Sequence, residues 1–151
     1  MKPAVVAFDQ RISGVRSRGP LVLVVEDTLD QRDLFVEEFE SAGFAVLEAP
    51  DGETAIDAAV HSSPEAIVLD LMLPRVSGFN VARVLRAHDR TRRAAIVAVT
   101  ALTSETFRAE ALDAGCDSVL RKPLIGATVV AEIMRLLAKR RNPQESTPPK
   151  L

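Results

Sequence analysis

Five side chains of this 151-residue chain have types and positions that could do chemistry together. Glu26 and Asp27 follow the apolar run 21–25 (LVLVV), and Asp70 follows 66–69 (AIVL). Thr100 follows 94–99 (AAIVAV), and Lys122 comes two residues after 118–120 (SVL). Runs so rich in branched apolar residues look like strands buried on both faces. Three acids against one ammonium leave an excess of negative charge, which either raises a carboxylate pKa or recruits a divalent cation. Hard oxygen donors suit Mg2+, which keeps several waters and takes one or two carboxylates. Beside such a cation a carboxylate can attack a phosphoryl group as a nucleophile. The metal, Lys122 and Thr100 would hold the transferred oxygens, so that catalysis is mostly positioning and charge neutralisation.

The five residues are far apart in sequence, so the elements between them must bring them together. Thr28 with Gln31 three residues on has the spacing of a capping box. The helix it opens is expected to turn Leu34, Phe35, Phe39 and Ala42 inward and to stop at Gly43. A strand at 44–49 is closed by Pro-Asp-Gly at 50–52. Ala55, Ile56, Ala59 and Val60 mark a short helix ending before Pro64. Val81, Val84 and Leu85 mark a third helix. Phe107, Ala111 and Leu112 mark a fourth, closed by Gly115. Val129, Val130, Ile133, Met134 and Leu137 line a fifth, whose last residues, 139–141 (KRR), sit where cations favour the helix dipole. Five strands alternating with five helices predict an α/β fold with a parallel sheet covered on both faces. Right-handed crossovers then require a doubly wound sheet, and such sheets bind ligands outside the carboxyl ends of their strands. All five polar residues fall at that edge.

Length and composition bound the rest. Residues 20–140 are enough for one domain with a proper core. Residues 1–19 read as a flexible leader whose role is not legible. Residues 141–151, polar and proline-rich, read as a disordered tail. With 47% hydrophobic residues the chain is not a disordered one, and a net charge of −2 predicts no bulk attraction to nucleic acid or acidic membranes. The single Cys116 excludes an intramolecular disulfide and a cysteine metal cage, which fits a cytoplasmic setting. No run of about 18 apolar residues predicts membrane insertion. The apolar stretch at the start meets Asp9 and Arg11 too soon for a signal peptide.

Four short motifs, VVED at 24–27, DLMLPRVSG at 70–78, VTA at 99–101 and KP at 122–123, stand in order at the strand ends. Together they make the sequence over about 20–140 resemble the receiver domain of bacterial two-component response regulators. The resemblance implies a flavodoxin-like (βα)5 fold with strand order 2-1-3-4-5. Asp70 would be the phosphoacceptor, taking phosphate from a histidine kinase or histidine phosphotransfer protein. Asp27, Asp70 and the backbone carbonyl of Met72 would bind Mg2+ directly, and Glu26 would act through metal-bound water. Thr100 would hydrogen-bond the phosphoryl group and Lys122 would pair with it. The Lys122–Pro123 peptide is expected to be cis, turning Lys122 into the pocket. Met72 and Leu102 would flank the line of attack of a hydrolysing water, and the surface of the fourth helix, fifth strand and fifth helix would carry the output contact. One position departs from the pattern: many members have an aromatic residue where this chain has Val119, and the chain contains no Tyr or Trp.

About ten residues follow the last helix, so the expectation is a stand-alone, chemotaxis-receiver-like chain without an output domain. It would signal to an unknown protein target, without direct contact to nucleic acid, and would catalyse only its own phosphorylation and dephosphorylation. A receiver fold that no longer takes phosphate and works only as a binding module is the alternative. A haloacid-dehalogenase-type phosphatase would need an acid where Met72 stands. Flavin binding lacks a phosphate-cradling loop after the first strand. His61 and His88 read as helix-end residues, Cys116 as packing, and the arginine pairs 92–93 and 140–141 as solvated surface.

Overall fold

The computed structural model describes residues 19–102 and 104–141. The expected leader and tail lie outside these, apart from Gly19 and Arg141. The elements are β1 (Leu21–Val25), α1 (Leu29–Ser41), β2 (Ala45–Ala49), α2 (Gly52–Ser62), β3 (Ala66–Asp70), α3 (Gly78–Ala87), β4 (Ala95–Thr100), α4 (Glu105–Ala114), β5 (Ser118–Arg121) and α5 (Gly126–Arg141). All neighbouring strands pair in parallel, in the order β2-β1-β3-β4-β5. This is the doubly wound, flavodoxin-like sheet expected from the sequence.

Alternation along each strand divides the core in two. Leu23, Val25, Leu47, Ile67, Leu69, Ile96 and Ala98 face α2, α3 and α4. Val22, Val24, Val46, Val68, Val97 and Val99 face α1 and α5, meeting Phe35, Phe39, Val129, Ile133 and Leu137. The helices on the first side approach through small residues, Ala55, Ala58, Ala59, Ala82 and Ala111.

Helix ends follow local chemistry. Asp51, Ser77 and Ser104 cap α2, α3 and α4 by accepting the backbone N–H of Thr54, Asn80 and Phe107. The capping box expected at Thr28 does not form. Thr28 has extended N-cap backbone but makes no side-chain cap, and its own N–H donates to the Glu26 carboxylate at 3.3 Å. The inward faces also differ from expectation. Leu34 is 57% exposed, Met134 53% and Val84 43%; Ala42 and Leu112 are exposed as well. Val36, Ala82, Ala114 and Leu136 are buried instead. A helix lying on a sheet covers a narrow stripe, and apolar residues at its margins can fall either way.

Candidate functional site

Each expected site residue stands at the carboxyl edge of the sheet. Glu26 N–H donates to the Ala49 carbonyl at 3.1 Å, which carries the β1–β2 pairing one residue past β1 and fixes where Glu26 begins. Asp70 is the last residue of β3 and is paired in register with Val99, so Thr100 lies one residue further along the neighbouring strand. Lys122 N–H donates to the Thr100 carbonyl at 2.7 Å, which ties the residue after β5 to the end of β4. The Lys122–Pro123 peptide is cis, as the sequence led us to expect.

The chain break after Asp70 has a steric cause. The Gly78 N–H donates to the Leu71 carbonyl at 3.1 Å, bringing the start of α3 hard against the end of β3. A Cβ at position 78 would overlap the Asp70 carbonyl oxygen and come within 2.6 Å of the Leu71 Cα. Only glycine permits that approach.

Carboxylate oxygens of Glu26, Asp27 and Asp70 lie within 4.8 Å of one another. Glu26 and Asp70 are buried and Asp27 is exposed. The Asp70 Oδ1 accepts the Met72 backbone N–H at 2.9 Å, and Oδ2 lies 3.5 Å from Lys122 Nζ. Lys122 is closer to Glu26, at 2.8 Å. The cluster is electrostatically unbalanced. Burial first, and then the charge of Asp70, push the Glu26 carboxyl up to about 7, against the lowering effect of its bond to Lys122. Burial works against the Lys122 charge, but its hydrogen bond to Glu26 and the charges of Asp70 and Glu26 outweigh this and raise its pKa. Two buried acids and an exposed third, with a single ammonium, fit a hard divalent cation bound through oxygen with open positions for water. Lys122 lies nearer to Glu26 than to Asp70, so Asp27 and Asp70 would be the carboxylates to ligate such a cation directly.

Thr100 is buried, and its Oγ1 accepts the Leu102 N–H at 3.0 Å rather than contacting Asp70. Beside it a cavity of about 170 Å3 is lined by Leu102, Ser104, Glu105, Arg108, Val119 and Arg121. Val119, the position that departs from the family pattern, lines this space.

One residue of the site was not foreseen. Arg32, on α1, donates to the Glu26 carbonyl at 2.8 Å and to Glu48 on β2 at 3.3 Å. It braces the backbone that carries the two adjacent acids. No motif marks it, because an arginine in the second turn of an amphipathic helix looks like ordinary surface. His61 lies in the last turn of α2 and His88 caps the end of α3, as expected of helix-end residues. Cys116 is buried, and burial pushes its thiol up to about 12, in keeping with packing. The arginine pairs are not all solvated surface: Arg140 donates to the Arg93 carbonyl and pairs with Asp117 at 3.0 Å.

Comparisons with known proteins agree with this geometry. The chain is 36% identical over 120 residues to the DNA-binding dual master transcriptional regulator RpaA of Synechocystis sp., covering 80% of this chain and 50% of that protein. It is 37% identical over 128 residues to the transcriptional regulatory protein PrrA of Mycobacterium tuberculosis, covering 85% and 53%. The chain thus spans about half the length of these relatives, and the expectations of a stand-alone chain and of no nucleic-acid partner gain no support from them. Chemotaxis protein CheY4 of Vibrio cholerae superposes with a TM-score of 0.74 at 26% identity, over 78% of this chain and 98% of that one. The receiver domain of the sensor histidine kinase PA1611 from Pseudomonas aeruginosa, whose structure has a magnesium ion coordinated in the active-site cleft, superposes with a TM-score of 0.73 at 30% identity, over 80% and 98%. Among the described residues no helix is long and apolar enough to cross a membrane. The family model for the response regulator receiver domain matches residues 22–134, a span that begins in β1 and takes in every strand-end residue above. The chain belongs to the response regulator receiver domain family, whose members are phosphoryl-accepting signalling modules.

Proposed function

We propose that this chain accepts a phosphoryl group on Asp70 from a histidine kinase or histidine phosphotransfer protein, and passes the signal on by protein–protein contact. The observation that carries this reading is the state of the Asp70 carboxylate. Its Oδ1 is held by the Met72 N–H, while Oδ2, among the described residues, is met by Lys122 alone, at 3.5 Å. Oδ2 is therefore the oxygen available for bond formation. It forms the new O–P bond as the P–N bond to the donor imidazole breaks, and the electron pair of that bond returns to the imidazole nitrogen.

Asp27, Asp70 and the Met72 carbonyl would hold Mg2+, with Glu26 acting through water. When bound, the cation neutralises charge on the phosphoryl oxygens. Lys122 exchanges part of its contact with Glu26 for a phosphoryl oxygen. The Thr100 hydroxyl turns from the Leu102 N–H toward the same group. Later hydrolysis of the acyl phosphate restores Asp70, and these are the only reactions the chain catalyses. The setting is the cytoplasm, where Cys116 stays a thiol. The output contact lies on α4, β5 and α5.

A second reading, a binding module that works without phosphate, draws on the space beside Val119, which removes one route for relaying movement of Thr100. Incubation with acetyl phosphate followed by intact-mass measurement separates the two. The first reading expects one added phosphoryl group, not formed when Mg2+ is chelated beforehand and absent in Asp70→Asn. The second expects no added mass. Amide exchange with and without a beryllium fluoride mimic tests the output face: changes confined to α1 and α2 would refute it.

A further inference from the structure

The amino edge of the sheet, opposite the acids, holds a cavity of about 300 Å3 lined by Ser63, Pro64, Glu65, Arg90, Arg93, Ala94, Leu137, Arg140 and Arg141. Four arginines against one glutamate give this wall a formal excess of three positive charges in a chain whose net charge is −2. We propose that the cavity binds a compact oligophosphate, a group of pyrophosphate size that is either free or the end of a larger molecule.

Two of the guanidinium groups are held in place. Arg90 donates to the Val60 carbonyl at 2.6 Å and to the His61 carbonyl at 3.3 Å, which covers the last turn of α2. Arg140 donates to the Arg93 carbonyl and to Asp117. Bonding to these carbonyls and to Asp117 accounts for these two, and each keeps further N–H donors, since guanidinium carries five. It does not account for the other two. Among the described residues the side chains of Arg93 and Arg141 make no hydrogen bond or ion pair, and neither does the Glu65 carboxylate. Like charges brought to one concave wall repel, and a bound anion relieves that repulsion. Guanidinium forks match tetrahedral oxyanions with several acceptor oxygens, and fixed forks lose less freedom on binding than mobile ones. The volume is at the lower end for ligand sites, enough for linked phosphoryl groups and small for a whole nucleotide.

The test is calorimetric titration of inorganic pyrophosphate into the full chain, in chelator-containing buffer so that the acidic edge carries no cation. Wild type should bind one equivalent, with affinity that falls as salt is raised. Arg93→Ala with Arg141→Ala should bind at least about tenfold more weakly, while taking up phosphate from acetyl phosphate at the wild-type level, which shows that the fold is kept. Adenosine triphosphate binding as well as pyrophosphate would mark the group as the end of a larger molecule; orthophosphate should bind more weakly than either. Absence of saturable binding, equal binding by the double variant, or an oligoglutamate peptide that competes on equal terms would overturn the proposal.

Discussion

The two edges of the sheet are built from charged residues in opposite ways. Around Arg86 and Asp117, at the amino edge, charge is distributed into bonds. Arg86 donates to the Gly115 carbonyl at 2.7 Å, the Ala94 carbonyl at 2.6 Å and the Arg92 carbonyl at 2.8 Å, and pairs with Asp117 at 2.8 Å. The same Asp117 oxygen accepts the Ile96 N–H at 2.8 Å and Arg140 at 3.0 Å. One guanidinium thereby joins α3, the approach to β4 and the turn before β5. That turn needs Gly115, which ends α4 at φ +114 with the Arg86 side chain against it. At the carboxyl edge the charges converge and do not cancel, and Glu26 is pushed toward protonation. The first arrangement stabilises. The second holds a carboxylate among like charges, where a bound cation relieves the imbalance. The contrast explains how one small domain keeps an unbalanced acidic site: the bonds of Arg86 and Asp117 tie down the helix ends and turns at the far edge.

The largest effects should separate the edges completely. Asp70→Asn should abolish acid-labile phosphorylation by acetyl phosphate, with melting temperature unchanged or raised, because a like charge is removed. A clear drop in melting temperature would show that Asp70 is structural. Arg86→Ala should do the reverse. It strips a side chain 22% exposed from three carbonyls and Asp117. Unsatisfied acceptors cost about 1–3 kcal/mol when buried, and with these partly exposed we expect about 3 kcal/mol in all, read from urea unfolding. Phosphorylation per folded molecule should stay at the wild-type level.

The next test uses pH. The Glu26 carboxyl, ordinarily near 4.5, is raised to about 7 in the folded chain. A raised carboxyl favours the folded state while it is protonated. That contribution is full below 4.5 and is lost as pH rises through about 7. The loss should be on the order of 2–3 kcal/mol in chelator-containing buffer. Glu26→Gln should flatten the slope in this window, and a wild type as flat as the variant would mean that the edge is not unbalanced. Glu132 gives the opposite sign. Its bond to Arg135, first, and to Ser118 pull it down to about 2, so it contributes above 4.5 and loses that contribution as pH falls through about 2. The smallest effect concerns signal lifetime. Met72 is 57% exposed beside Asp70, and the Leu102 N–H is held by Thr100. Neither side chain can orient a water. Met72→Asn with Leu102→Glu should therefore speed decay of the phosphorylated chain by about tenfold, a barrier change of only about 1.4 kcal/mol. Equal decay rates would show that this pair does not set the lifetime.

The sequence by itself determined the sheet and the membership of the acidic site. Runs such as Val22–Val25 and Ile67–Leu69 are short, branched and apolar without a break, the pattern of a strand buried on both faces. Parallel order and handed crossovers then sent Glu26, Asp27, Asp70, Thr100 and Lys122 to one edge without further information. Tertiary structure alone decided how they are engaged. Whether Lys122 rests on Glu26 or Asp70 depends on a difference of 0.7 Å between two contacts, 2.8 and 3.5 Å, set by the exit of β5. That Arg32 braces Glu26, and that Arg86, Arg90 and Arg140 bind carbonyls rather than water, follows from which loops and helix ends come near. Leu34, Val84 and Met134 were misplaced for the same reason. Helical period names a face, but the width of the covered stripe is set by how closely the neighbouring helices crowd it. Periodicity is a property of the chain's own geometry and can be read along it. A hydrogen-bond partner is a property of two segments meeting, and no local pattern carries it.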